Sequence, residues 1–392
     1  MPYKPGRHFL QIPGPSNVPD RVLRAMDRPV IDHRSAEFAQ LGLECLNGIK
    51  SVFQTSNPVV VFPSSGTGAW EAAMTNTLNP GDRILAFEIG QFATLWAKMA
   101  GNLGFRVDVI PGDWRHGIRM EELAQALARD SGHEIKAVFA VHNETSTGVT
   151  TDIPGVRRTL DEAKHPALLM VDTISSLASI DYRHDEWRVD VAIGGSQKGL
   201  MLPPGLAFNA LSKRALDANR QSKFPKGYFD WGAMLDNNTR GYFPYTPATN
   251  LLYGLRESLL IFQEEGLQAI FARHKKLAQA TRCAAQHWGL EMVAADPSEY
   301  SNTVTALFVP DGFREQDLRA LILEKFNMSL GAGLGKVAGR AFRIGHIGDL
   351  NELMLAGTLC GVEMGLELAG IPYRAGGVNA ALRYLTTQAK AS

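Results

Sequence analysis

The stretch DVAIGGSQKGLMLPPG, Asp190–Gly205, decides how this chain is read. Val189, Val191, Ala192 and Ile193 make a short apolar run that halts at Gly194 and Gly195. A run of this length, bounded by glycine, reads as a strand buried on both faces. Ser196, Gln197 and Lys198 follow, and the next eight residues bring no acidic side chain. A lysine directly behind a buried strand either snorkels to solvent or meets a partner that the local sequence does not supply.

Working outward, the same pattern recurs. Apolar runs that end in polar or glycine turns and then in helical stretches occur at VVVFPSSGTGAWEAAM (Val59–Met74) and RILAFEIGQF (Arg83–Phe92). They recur at AVFAVHNETSTG (Ala137–Gly148) and ALLMVDTISS (Ala167–Ser176). Such alternation predicts an α/β fold, a mostly parallel sheet covered by helices, over residues 20–260. Residues 1–19 read as an N-terminal arm, because IPGPSNVP (Ile12–Pro19) is rigid and extended. Beyond Asn250 comes long amphipathic helix, broken near Gly266 and ended near Gly289. Strand and helix segments then alternate, predicting a smaller α+β C-terminal domain over 261–392. GAGLGKVAG (Gly331–Gly339) lacks the dinucleotide-binding spacing and reads as a loop.

Bulk properties narrow the function classes. With 40 basic and 40 acidic residues the formal net charge is zero, which argues against a nucleic-acid or membrane-surface partner. Cys45, Cys283 and Cys360 are far apart with no CxxC, which argues against a zinc or other metal site and for a reducing cytoplasm. The start of the chain has no signal-peptide core, and no apolar run is long enough to span a membrane.

In open α/β sheets, ligands bind beyond the carboxyl ends of the strands. The first such end carries Ser65, Gly66, Thr67 and Gly68 ahead of a helix, which is equipment for a phosphate and equally for an ordinary cap. The second carries Phe92, a ring for stacking or for the core. The third carries the polar loop His142–Thr147, the fourth Asp172, and the fifth Lys198. Taken together, a phosphate cradle, a flat ring, a carboxylate and a lysine fit pyridoxal 5′-phosphate. Lys198 would then be tethered as an imine and would need no neighbouring counter-charge. Arg343 in AFRIGHIGD sits in an apolar strand, where it would hold a substrate carboxylate or pair internally with Asp349 or a glutamate.

These segments, with PGPSNVP, DHRSAEF, YFPYTP, LLYGLRESL and FRIGHIGDLNE, resemble the alanine/serine–glyoxylate aminotransferase family, a class V, fold-type I branch of the pyridoxal-phosphate enzymes. The likeness runs in order from Phe9 to Tyr373 and is strongest toward serine–glyoxylate members. It implies transfer of an amino group from a small amino acid, serine first, to glyoxylate, giving glycine and, from serine, hydroxypyruvate. Aspartate, alanine and ureidoglycine stay open as donors. The resemblance implies Lys198 as the imine-forming lysine and proton shuttle and Asp172 as partner of the ring nitrogen. It places Ser65, Gly66, Thr67 and Gln197 on the phosphate, Phe92 on the ring (where many relatives have tryptophan), and Thr145 on the ring hydroxyl. Arg343 would bind the substrate carboxylate, with Gly14 lining the pocket and His346 either touching the donor or supporting its loop. Thr246 would reach the neighbouring subunit's phosphate, which implies a homodimer with shared sites. The family tyrosine of that segment falls on Phe243, leaving Tyr242 and Tyr245 as candidates. A cysteine desulfurase shares the fold, but no cysteine here matches its nucleophile. A non-catalytic relative is disfavoured by the intact Lys198, Asp172 and Arg343.

Overall fold

The computed structural model describes residues 5–391. Its strands are β1 (Phe9–Gln11), β2 (Val59–Ser64), β3 (Arg83–Phe87), β4 (Arg106–Ile110), β5 (Ile135–Val141), β6 (Asn143–Glu144) and β7 (Val149–Thr150). They continue as β8 (Leu168–Asp172), β9 (Val191–Gly195), β10 (Gly205–Leu211), β11 (Val304–Phe308), β12 (Met328–Ala332) and β13 (Ala341–Gly345). Seven of them form the main sheet in the order β2-β10-β9-β8-β5-β3-β4. All neighbours are parallel except those of β10, which runs against both β2 and β9. The central strands are buried along their whole length, which explains their unbroken apolar runs.

The parallel strands all deliver their carboxyl ends to one edge, and the turns leaving β2, β3, β5, β8 and β9 gather there. The turn after β2 enters the helix Gly66–Thr77, almost wholly buried against the sheet. The turn after β3 enters the helix Gln91–Asn102. Two long helices, Thr249–Glu265 and Leu267–Trp288, meet at Gly266 with φ +82°. The boundary expected at residue 260 thus falls inside the first of them.

A second sheet of order β1-β12-β13-β11 stands apart and carries Arg343 at the centre of β13. Two expectations change here. Phe9–Gln11, expected in an arm, is a strand paired parallel to β12, because its backbone fills that sheet's open edge. Gly331 and Ala332, expected in a loop, end β12 and pair with Arg343 and Phe342. Gly331 is small because a Cβ there would stand 3.0 Å from the Arg343 Cβ and 2.8 Å from the Pro13 ring. Among the described residues no helix is long and apolar enough to cross a membrane.

Candidate active site

Lys198 emerges from β9 into a tight turn. The Met201 N–H donates to the Lys198 carbonyl at 3.0 Å, and Ser196 spans the turn by donating its hydroxyl to the Pro203 carbonyl at 2.7 Å. The lysine side chain is buried, and Nζ donates to the Pro13 carbonyl at 2.8 Å. The segment Ile12–Ser16 therefore closes over the lysine. Ser16 fastens it, its N–H donating to the Gln197 carbonyl at 3.0 Å and its hydroxyl to the Lys198 carbonyl at 2.8 Å. Gly14, with φ +130°, is needed here because a Cβ would overlap the Lys198 side chain. Burial and the nearby Arg343 charge lower the Lys198 pKa to about 8, against a smaller opposing pull from Asp172.

Asp172 ends β8 and is buried. Its carboxylate accepts from the Trp70 indole N–H at 2.7 Å and from the Ile174 N–H at 2.8 Å. Burial pushes its pKa up to about 7 against those two bonds. Trp70 is held by a stack that continues through Trp96 at 5.9 Å and Phe139 at 4.0 Å beyond it. Trp70 lies within the motif FPSSGTGAWE, where nothing adjacent in the sequence assigns it a role. Its signal was an indole one turn into the helix that follows the glycine-rich turn.

At the start of that helix Ser65 occupies the cap position without a side-chain capping bond; its carbonyl takes the Gly68 N–H at 2.9 Å, and the Gly66 and Thr67 N–H groups have no acceptor among the described residues. Ser65 and Thr67 are exposed, whereas Gly66 is buried. Gln197 joins them: its Oε1 and the Gly66 nitrogen lie 3.3 and 3.7 Å from where a Gly195 Cβ would stand. Gln197 Oε1 is buried with no hydrogen-bond partner among the described residues. An uncapped helix start beside an orphaned buried amide oxygen is what an anion with protonated or hydrated oxygens would complete.

Phe92 is half-buried in the first turn of Gln91–Asn102. Thr145 is buried and donates its hydroxyl to Ser175 at 2.7 Å. Arg343 is buried, its Nε donating to the Ala332 carbonyl at 2.7 Å and its Nη1 to the Thr145 carbonyl at 3.0 Å. Among the described residues no carboxylate forms an ion pair with it, and the internal partner considered at Asp349 is not there. Burial lowers its pKa to about 10, with the Glu144 charge as the main opposing influence.

His346 is fully buried and engaged at both ring nitrogens, with the Thr305 hydroxyl at 2.9 Å and the Asn302 carbonyl at 3.1 Å. Burial drops its pKa to about 3, so the ring is neutral and offers no free nitrogen to a ligand. Phe243 packs edge-on to Phe38 at 6.0 Å, in the core. Tyr242 is half-buried against the same core, and Tyr245 stacks on Tyr228 at 4.2 Å. Thr246 is exposed. The structure thus brings Lys198 against Pro13 and Gly14 and within reach of the Asp172 and Arg343 charges, sets Gln197 beside the Gly66 turn, and leaves Thr246 exposed.

Three comparisons agree with this geometry. A family model described as aminotransferase class-V matches residues 8–341. A serine–glyoxylate aminotransferase of Arabidopsis thaliana is 50% identical over 98% of this chain and 96% of its own. An L-aspartate–glyoxylate aminotransferase of Paracoccus denitrificans is 45% identical over 94% of each chain. A solved ureidoglycine–glyoxylate aminotransferase from Bacillus subtilis superposes with TM-score 0.90 at 28% identity, covering 98% of this chain and 99% of that one. With a family match over most of its length and full-length relatives at this identity, the chain belongs to the class-V aminotransferases.

Proposed function

We propose that this chain is a pyridoxal-phosphate-dependent aminotransferase that moves the amino group of serine to glyoxylate, yielding hydroxypyruvate and then glycine. The observation that carries the reading is a pair of buried cations, Lys198 and Arg343, close enough for the arginine's charge to act on the lysine and with no ion-paired carboxylate among the described residues. A buried charge without a counter-ion is unstable unless a ligand supplies it. The chemistry calls for such a ligand at each: an aldehyde for the amine and an α-carboxylate for the guanidinium.

The residues fit the cofactor. The free N–H groups of Gly66 and Thr67 at the helix start, with the Ser65 and Thr67 hydroxyls and Gln197, would hold a phosphate. Asp172, fixed by Trp70 and Ile174, would face the ring nitrogen and keep its proton. Phe92 would cover the ring face, and Thr145, with Ser175 behind it, would meet the ring hydroxyl. When bound, pyridoxal phosphate supplies a carbonyl for the amines and a protonated ring that takes up the charge left when Cα loses its proton. The chain supplies the proton handling. Lys198, with its pKa near 8, is neutral often enough at ambient pH to accept the Cα proton and to return one to the cofactor side. Arg343 orients the amino acid, gripping its carboxylate with the guanidinium, and the Ile12–Ser16 segment excludes water above the lysine.

The donor is assigned from the relatives' names, and the 45% identical aspartate–glyoxylate relative makes aspartate the competing reading. We assign a homodimer on the outward-turned Thr246, and a reducing compartment such as the cytoplasm on the unpaired Cys45, Cys283 and Cys360. A screen of serine, aspartate, alanine and ureidoglycine against glyoxylate, scored by glycine formed, tests the assignment. Serine should lead. Faster turnover of aspartate replaces the donor, and a wild-type chain that binds no supplied pyridoxal phosphate overturns the reading at its base.

A further inference from the structure

Glu144 ends the two-residue strand β6, close behind β5, and is wholly buried, a placement that carboxylates avoid unless their oxygens are satisfied. Here they are. Oε1 accepts from the Ser146 N–H at 3.0 Å and the Ser146 hydroxyl at 2.7 Å. Oε2 accepts from the backbone N–H groups of Phe92 at 3.1 Å and Ala93 at 3.0 Å. Ser146 in turn accepts from the Gln91 N–H at 3.0 Å. The helix Gln91–Asn102 begins at Gly90, which has no side chain with which to cap it. All of its first N–H groups are therefore closed from another strand, by Glu144 and Ser146. Gly90 makes room for this, since a Cβ there would overlap the Glu144 side chain.

The same segment also meets Arg343. The Thr145 carbonyl, one residue on, accepts from Arg343 Nη1 at 3.0 Å. We propose that Glu144 is a positioning residue: it locks the Phe92 backbone on one side and, through the adjoining peptide, the Arg343 guanidinium on the other, so that ring cover and carboxylate grip share one support. The inference rests on the cofactor reading above. Burial pushes the Glu144 pKa up, while the donated bonds and the positive helix end favour the charged form. That charge is also the chief one sustaining protonation of Arg343.

The test is Glu144→Gln. The amide keeps the shape but turns an NH2 toward one of the two donor pairs, so either the helix start or Ser146 loses its acceptor. Loaded wild type and variant are compared by melting temperature, by pyridoxal-phosphate affinity from fluorescence titration, by circular dichroism of the bound chromophore, and by KM for donor and acceptor. We expect the cofactor to bind about tenfold more weakly with a diminished visible dichroic band, and both KM values to rise about tenfold or more. Global loosening alone would lower the melting temperature without moving KM. Gly90→Ala, which displaces Glu144 without removing it, should reproduce the pattern and serves if Glu144→Gln does not fold. Wild-type affinity, dichroism and KM in a folded variant overturn the proposal. Failure of the wild type to bind pyridoxal phosphate would instead overturn the cofactor reading.

Discussion

The strand β9 carries a buried charge at each end, and the two ends are built differently. Just before it, Asp190 accepts from the Leu169 N–H at 2.8 Å, the Ser212 hydroxyl at 3.0 Å and Arg214 Nη1 at 3.0 Å, with Arg157 3.9 Å away. Just after it, Lys198 has a single hydrogen bond, to the Pro13 carbonyl, and no ion pair among the described residues. Asp190 is neutralised within the chain and pins β8, β9 and the following helix together. Lys198 is desolvated and left uncompensated. One end of the strand uses its charge for the fold; the other, on the function proposed above, keeps it for a ligand, and the presence or absence of a protein counter-ion tells the two apart.

Removing Lys198 should break this contrast most visibly. Lys198→Ala is expected to lower glycine formation at least ~10³-fold, because in the proposed function it would delete both the covalent attachment point and the proton carrier. Borohydride should no longer fix a chromophore to the protein, which absorbance of the desalted chain reports. Its melting temperature without cofactor should change little, since the one hydrogen bond lost, to the Pro13 carbonyl, is offset by relief of the buried amine's desolvation. A variant that keeps wild-type turnover would place the uncompensated charge outside the chemistry.

Arg343 comes next. Arg343→Ala should cut kcat/KM about 10²-fold, mainly through KM for both amino acid and keto acid. Cofactor binding, followed by spectral titration, should hold. Loss of cofactor in place of substrate affinity would turn this arginine into a structural residue like Asp190.

How far the sequence alone reached follows the same division. Each strand exit is readable because an apolar run and its polar stop are adjacent in the chain, which marks Lys198 and Asp172, and Arg343 is legible as a lone charge inside an apolar run. Gly266 and Gly289 were readable for the same reason, as local helix breaks with positive φ. What escaped depends on distant pairing. β1 was not visible as a strand because its partner is Met328–Ala332. β10 gave no signal that it would insert antiparallel between β2 and β9. Glu144 reads as one member of a polar loop, since the Phe92 N–H it caps lies 52 residues earlier in the chain. The two readings of His346 separated only when Thr305 and Asn302 were seen to occupy both nitrogens.

A smaller effect sharpens the comparison through pH. Lys198 is shifted down from 10.5 to about 8, so its neutral, nucleophilic fraction grows as pH rises through 8 and saturates above it. The rate at which the cofactor-free chain captures pyridoxal phosphate should rise about tenfold per pH unit below that point and flatten beyond it. Stopped-flow absorbance measures this directly. Arg343→Ala removes a neighbouring positive charge that holds the pKa down, so the midpoint should move upward. A profile still climbing beyond pH 10 would mean that the amine is solvated like an ordinary surface lysine.

The least effect on catalysis is expected at the other end of β9. Asp190→Ala leaves Arg214 and the Leu169 N–H without their acceptor and costs about 2–3 kcal/mol of stability, since hydrogen bonds to a buried charge are lost while Arg214 is half-exposed and can turn to water. Arg157 keeps Asp161 at 2.7 Å, which limits the damage. Urea unfolding of the cofactor-free chain should show the loss, and turnover per folded, loaded molecule should stay within about twofold of wild type. The residue lies at the amino end of the strand, away from every group gathered at the carboxyl edge. If Asp190→Ala changed KM or the Lys198 titration at constant stability, the two ends of β9 would be electrostatically coupled, and pairing within the chain would no longer separate the structural charge from the chemical one.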